Sequence, residues 1–349
     1  MNSEALHLMM GHPTYRARIR PRDTRSVDYP FQNKIFMPMR TLLNATIIGG
    51  CLFAAVALVA GVMADAYPAL DIVNNGMPFL VAGLVVLLVM SAVLRSRMLI
   101  VTTAGLLVIA GLVLVPKLSG AAPQAPEDAE RFLRVATFNM WGKGDLHADK
   151  VQTFLNETEA DVVVLAEIRW KHEDFLQEMQ KTYPHQSGKH GLVVLSKHPI
   201  IDEGRLDRPG EPYWRSLIVN WTRLNVDGRA VEVVGVHLAR PFHPRQQQAD
   251  FENLTRFLRS RTGPIIVAGD FNAAPWTQKL HGLATATGLK RLNTFSPTWP
   301  ARWKNLALLP ILPIDNILLS PGLATIDLTV AGRLESDHLP VIADLALLK

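Results

Sequence analysis

The sequence predicts a layered α/β sandwich preceded by apolar helices. Three observations carry this. The apolar residues are concentrated before residue 116. Beyond residue 130, short β-branched runs alternate with a few helix-like stretches. Polar residues recur where those runs stop, which is how a sheet presents chemistry at its rim.

The chain has 349 residues and is 48% hydrophobic, with 19% charged. This is apolar for a soluble enzyme and charged for a protein lying wholly in a membrane, so a mixed architecture is expected. Leu42–Met63 and Gly76–Leu94 hold no charge, and Met98–Val115 is the third such stretch and the shortest. Each approaches the ~20 residues an α-helix needs to cross the hydrocarbon core. Forty-one residues precede the first, too many for the charged start of a cleavable signal peptide. Arg16, Arg18, Arg20, Arg22, Arg25, Lys34 and Arg40 lie before it, and Arg95 and Arg97 lie in the turn before the third. Asp65 and Asp71 lie between the first two, without Lys or Arg. Cationic loops stay inside, so the N-terminal arm (1–40) is expected in the cytoplasm. After three spans (about 42–63, 76–94 and 98–115), everything that follows is expected on the extracytoplasmic side of the inner membrane.

Residues 1–120 carry ten Lys/Arg against five Asp/Glu, whereas residues 121–349 carry 26 of each. The net +5 is therefore a topology signal and a source of anionic-lipid contact, not the mark of a nucleic-acid-binding domain. The single cysteine, Cys51, excludes an intrachain disulfide framework and a multi-cysteine metal site. Residues 116–130, rich in Pro, Ala and acid, read as an extended linker, and 131–349 as one domain with a substantial core.

Within that domain the runs at 134–138, 162–165, 192–195, 217–221, 231–236, 265–267, 317–319 and 341–343 read as strands. The stretches 146–159, 172–181 and 245–261 read as helices, the last with Phe251, Leu254, Phe257 and Leu258 on one face. Strands with intervening helices predict face-to-face sheets covered by helices.

Asn139 follows VATF, Glu167 follows VVVLA, His237 follows VVGV, and Asp270 and Asn272 follow IIVAG. Asp315 precedes NILLS, and Asp337 with His338 precedes LPVIADL. Taken singly, these read as turn residues, caps or solvated carboxylates. Together, carboxylates and amides make an oxygen-donor site suited to Mg²⁺ or Mn²⁺. Histidines beside carboxylates can be oriented and held protonated. A cation with charged histidines suits the dispersed negative charge of a phosphoryl transition state.

FNMW, VLAE, GVHL, GDFNAAPW, IDNILLS and SDHLPV, in that order, resemble the endonuclease/exonuclease/phosphatase superfamily, over residues 131–349. The anchor followed by this domain resembles a group of bacterial membrane-bound members. The resemblance implies a DNase I-like four-layer α/β sandwich and in-line attack of water on a phosphoester. It also implies roles. Glu167 is the principal metal ligand, with Asn139 beside it and Asp337 on the metal side. Asp270 orients and deprotonates the attacking water, and Asn272 hydrogen-bonds the phosphate or the nucleophile. His338, paired with Asp315, contacts a phosphate oxygen, and His237 faces the leaving group or phosphate. Arg215 sits where a strand arginine is common and either contacts phosphate or braces the rim. Two positions depart from the family pattern: Val236 stands where Asn or Thr is frequent, and Asn316 where His often follows the aspartate.

The segment 298–316 holds Trp299, Trp303 and the apolar run Leu306–Ile314. It reads either as packing for the strand that presents Asp315 or as a loop touching the outer leaflet. Three function classes follow. The first is a membrane-tethered, metal-dependent phosphoesterase on an envelope or lipid-linked substrate, with membrane lipids as partners. The second is an extracytoplasmic nuclease, which the neutral domain disfavours because nucleic-acid binding draws on Lys/Arg contacts to phosphate. The third is a non-catalytic sensor, against which the complete residue set argues.

Overall fold

Residues 39–142, 148–208, 217–292 and 295–348 are described by a computed structural model. By its internal contacts the chain divides between Leu43 and Asn44, so the apolar helices beyond that point and the sheets form one compact unit. The basic arm at 1–38 and Arg215 lie outside the described residues.

Among the described residues, four α-helices come first: α1 (Met39–Val62), the short α2 (Asp71–Asn75), α3 (Met77–Val93) and α4 (Arg97–Leu118). Two of them, α1 extended through Asp65 and α4, are long and apolar enough to cross a membrane. A third would cross only if α3 and the turn before it, bent by 56°, act as one span. The segment that falls short is thus the middle one, with 17 helical residues, and not the third, which has 22. Val56, Val59, Val86, Val89, Val101 and Leu112 are exposed along these helices. Outward apolar faces of this kind mark an interaction surface, for another protein or a membrane.

Two mixed sheets follow. The first runs β13 (Leu323–Val330), β14 (Val341–Leu347), β1 (Leu133–Asn139), β2 (Val162–Ile168), β4 (Gly191–Ser196), β3 (His185–Ser187). The second runs β5 (Ile200–Asp207), β6 (Leu217–Val226), β7 (Arg229–His237), β8 (Ile265–Asp270), β12 (Asp315–Leu319), β9 (Lys290–Arg291). A small hairpin, β10 (Arg302–Trp303) with β11 (Leu306–Ala307), stands apart from both.

Strand periodicity explains the layers. Val162, Val164 and Ala166 of β2 face the second sheet and meet Val233, Ile266 and Ile317 in the central core. Their neighbours Val163 and Leu165 face outward, against Val151 and Leu155 of α5 (Ala148–Thr158) and Phe175 and Met179 of α6 (Glu173–Met179). Ile265 and Val267 of β8 likewise face Phe251 and Leu254 of α7 (Pro244–Arg259) and Leu280 and Leu283 of α8 (Gln278–Thr287). Because alternate residues point to opposite faces and both faces are covered, these strands are continuous apolar runs. Each fully buried Val, Leu or Ile contributes about 1.5–3 kcal/mol.

Of the segment expected as a linker, 116–130, residues 116–118 belong to α4, and the part after them is bonded to strands of both sheets. Ala122 N–H donates to Arg291 O at 2.6 Å, and Ala125 N–H to Thr325 O at 2.8 Å.

Candidate active site

The topology gathers the polar strand ends at one rim. In the second sheet, His237, Asp270 and Asp315 are paired in a single cross-strand row, since β7 runs parallel to β8 and β12 antiparallel to it. In the first sheet β1 and β2 are parallel, so Asn139 and Glu167 end together. β14 is antiparallel to β1, so Asp337 and His338, just before it, reach the same rim. All eight predicted residues in the described part of the chain lie at this rim.

Backbone geometry aims two of them. Glu167 has φ +60° and sits where the β2–β4 register shifts between Ala166 and Ile168. A bulge of this kind re-aims one side chain. Asn272 has φ +49°. Non-glycine residues in this region are uncommon and persist where surrounding contacts hold them. For Asn272 those contacts are its own N–H to Asp270 Oδ1 (2.8 Å), its Nδ2 to Leu238 O (2.9 Å), and Gln247 Nε2 to its carbonyl (2.9 Å).

Asp270 is the hub. Its Oδ2 accepts from Asn139 Nδ2 at 2.9 Å and Asn272 Nδ2 at 3.2 Å, and faces the Nε2 atoms of His237 and His338, both at 3.8 Å. Burial pushes its carboxyl above the usual range, against the pull of His338. His338 Nδ1 lies 2.8 Å from Asp315 Oδ2, which also accepts from Thr298 Oγ1 at 2.5 Å. Burial alone would depress the imidazole, but the Asp315 and Asp270 carboxylates lift it to about 10. His338 is therefore a cation at neutral pH.

This pairing has a consequence for stability. A histidine whose pKa is raised by folding stabilises fully below its unfolded value of about 6.5 and loses that contribution as pH rises to about 10. In EDTA, the melting temperature should fall across this window, and His338→Asn should flatten the fall. Parallel curves for the two proteins would refute the pairing.

Glu167 forms the other half of the site. Burial pushes its carboxyl up, but His237 and Arg240 outweigh this and hold it below the ordinary range. Its Oε2 accepts from Gly142 N–H at 3.0 Å, and its Oε1 faces Arg240 Nη2 at 3.3 Å and His237 Nε2 at 3.7 Å. Asp337 is raised by burial and by the neighbouring Glu167. Its Oδ1 is buried with no hydrogen-bond partner among the described residues. A carboxylate oxygen without a hydrogen bond, 3.9 Å from His338 Nε2 and near a second carboxylate, is an environment a divalent cation relieves. Asp270, Asp315 and His338 also bring ligand atoms within 4.8 Å of one another, a group that could hold a metal.

Sequence reasoning missed several contributors. Thr298 braces Asp315 from a loop 17 residues upstream, with no local signal. Ser336 Oγ donates to Asn139 O at 2.7 Å, and Trp299 Nε1 to Asp337 Oδ2 at 3.4 Å. Arg240 was legible as a cation three residues past His237. The apolar run 306–314 does not pack the core: Leu306, Leu309 and Ile311 are exposed, and among these aliphatics only Ile314 is buried.

Two mixed sheets between helical layers, with carboxylates, amides and histidines at one rim, define a metal-dependent phosphoester hydrolase. The chain belongs to the Endonuclease/Exonuclease/phosphatase family, whose profile matches residues 136–338. The fold is shared with solved structures. A functionally unknown conserved protein from Enterococcus faecalis aligns at TM-score 0.52 and 18% identity, covering 62% of this chain and 100% of that one. TDP2 from D. rerio, complexed with a single-strand DNA product, aligns at 0.53 and 16%, covering 61% and 98%. An endonuclease/exonuclease/phosphatase from Bacteroides vulgatus aligns at 0.50 and 18%, covering 62% and 99%. No curated protein matches the sequence.

Proposed function

We infer that this enzyme is a membrane-tethered phosphoesterase acting on a lipid-linked phosphoester at the surface of its own membrane. In this reading residues 1–40 are a cytoplasmic arm, 41–115 a three-span anchor, 116–130 a linker and 131–349 an extracytoplasmic catalytic domain. The observation that carries the substrate class is the β10–β11 hairpin. Trp303 and Leu306 on it, and Leu309 just after it, are each more than 60% exposed. Its base hangs from the site, because Ala301 N–H donates to Asp337 O at 2.8 Å. Phe295, upstream of the hairpin, contacts the Trp276 ring at 5.7 Å, and Trp276 packs in the cluster formed by the apolar helices. Exposed aliphatics and Trp beside a phosphoester site suit an interfacial substrate.

The nuclease reading draws less support. Arg240, Arg245, Arg256, Arg259 and Arg261 cluster in sequence; of these, Arg261 is committed to Glu232 at 2.7 Å and stacks on Trp221, and Arg240 faces Glu167. Neither of these two is free to track a phosphate backbone.

Glu167 and Asp337, with Asn139 beside them, would hold Mg²⁺ or Mn²⁺. Protonated His338 has no lone pair to give, so the oxygen donors are the better cage than the Asp270–Asp315–His338 group. When bound, the cation would neutralise charge on the phosphoryl group and organise it. Asp270, whose carboxyl burial raises above the usual range, accepts the proton of the attacking water. His338, held by Asp315, offers a charged N–H to a phosphate oxygen. Asn272 spends both amide hydrogens within the chain, so it positions Asp270 rather than gripping substrate. His237 closes the side facing the leaving group.

The test is full-length protein in lipid nanodiscs with Mg²⁺, offered phospholipids, lipid pyrophosphates, DNA, RNA and a soluble aryl diester. Lipid phosphoesters should turn over fastest, and EDTA and His338→Ala should abolish the activity. Leu309→Asp should raise KM for the lipid substrate several-fold and leave the soluble diester unchanged. Preferential cleavage of DNA or RNA would select the nuclease reading. Silence from a folded, Mg²⁺-binding protein would overturn both. A reporter fused after Lys349 should signal from outside the cytoplasm.

A further inference from the structure

The segment that follows Asp270 and Asn272 does not end at the site. It continues into the apolar helices. Ala274 and Trp276 belong to the same buried cluster as Leu58, Met77 and Leu114. Around that apolar contact lies a set of polar ones, all drawn from the short connection between α1 and α3. Asn75 Oδ1 accepts from Ala274 N–H at 2.9 Å, and its carbonyl accepts from Trp276 Nε1 at 3.2 Å. Asp71 accepts from the first two N–H groups of α8, Gln278 at 2.8 Å and Lys279 at 3.1 Å. Lys279 Nζ reaches Pro68 O at 2.8 Å, and Gln278 Nε2 reaches Asp65 Oδ2 at 2.7 Å.

These are built contacts. Asp71 is 4% exposed and Asn74 fully buried. Asn74 Nδ2 ties Asp71 Oδ1 (2.7 Å) to the end of α1 through Gly61 O (3.1 Å), which fixes the carboxylate before it meets α8. The first N–H groups of a helix have no partner inside it and carry partial positive charge, so a buried carboxylate there is a strong anchor. On the far side, the buried Arg291 guanidinium donates to Pro275 O and to Lys117 O and Ser119 O at the end of α4. The six residues 274–279 are thus gripped by α2 and by the exit of α4.

We propose that Asp71 and Asn75 are positioning residues of the active site: the α1–α3 connection clamps residues 274–279 and so fixes the Asp270–Asn272 corner. The proposal rests on the reading of that corner as catalytic. Only Ala273 separates Asn272, held at positive φ, from the amide that Asn75 grips. Small misplacements of a reacting group cost rate rather than affinity.

The experiment uses the full chain in nanodiscs, comparing wild type with Asn75→Ala, Asp71→Asn and Asn75→Asp. Hydrogen exchange over residues 270–280 reads the clamp, and Mg²⁺-dependent turnover of a soluble aryl diester reads the corner. Asn75→Ala should speed exchange there and lower kcat about 10- to 100-fold with KM within twofold. Asp71→Asn should act in the same direction, through the amides of 278 and 279. Asn75→Asp keeps the acceptor oxygen and loses only a 3.4 Å bond to Ile72 O, so kcat should return to within a few-fold of wild type. Unchanged exchange in both loss variants would overturn the clamp. Faster exchange with unchanged kcat would overturn the positioning role. An inactive wild type would instead overturn the catalytic reading and the positioning role with it, while exchange still decides the clamp.

Discussion

Asp270→Asn should lower kcat by about 10²–10⁴-fold, the range general-base removal produces, with KM little changed. The substitution is nearly isosteric, so packing around this almost fully buried side chain is kept. Two functions are lost at once. The neutral amide cannot accept a proton from water. It also removes one of the three carboxylates that lift His338 to about 10, so the imidazole should titrate at lower pH. The two effects are read separately, by single-turnover kinetics and by NMR of the His338 ring. A kcat within tenfold of wild type would remove Asp270 from the role of base. A normal rate decrease with an unmoved His338 would leave the base and dismiss the electrostatic coupling. Asp315→Asn provides the contrast: it strips the direct partner of His338 but leaves Asp270 charged, so it should move the ring pKa further than it moves the proton-transfer step.

The rim was legible because each residue there interrupts an apolar run, and a buried strand has no local reason to stop on Asn, Glu, His or Asp. The same logic found the central strands and three of the outer helices. It failed where burial is one-sided. β5 is an edge strand with four charged residues among eight and no buried side chain, so no alternation marks it. β13, the opposite edge of the other sheet, is buried only over its first three residues. Helix α8 carries its signal at its ends, Thr277 as N-cap and Gly288 at φ +73°, instead of in its apolar period. The contacts of Thr298 with Asp315, and of Asp71 with Gln278, join residues 17 and 207 positions apart. Only the folded topology brings them together. The exposed run at 306–311 was legible as apolar, but sequence alone leaves open which side of the surface it faces.

Gly269→Ala should cost about 3 kcal/mol or more, combining backbone strain and overpacking. Gly269 lies between the apolar run of β8 and Asp270, at φ +146°, a conformation L side chains rarely adopt. An added Cβ would fall 2.0 Å from Val236 O, on the neighbouring parallel strand. That oxygen belongs to backbone, in the register that pairs Val236 with Gly269 and His237 with Asp270. Neither strand can yield without moving His237 or Asp270, which form the next pair along. The expected result is therefore a large drop in denaturation midpoint, with any residual folded fraction showing impaired turnover. Gly263→Ala is the control: its φ is also positive, at +93°, but its Cβ would meet open space. It should cost only the backbone preference and leave kcat alone. Equal losses for the two would mean that conformation alone sets the requirement. A larger loss at Gly269 would mean that close approach of β7 and β8 is what brings His237 and Asp270 side by side.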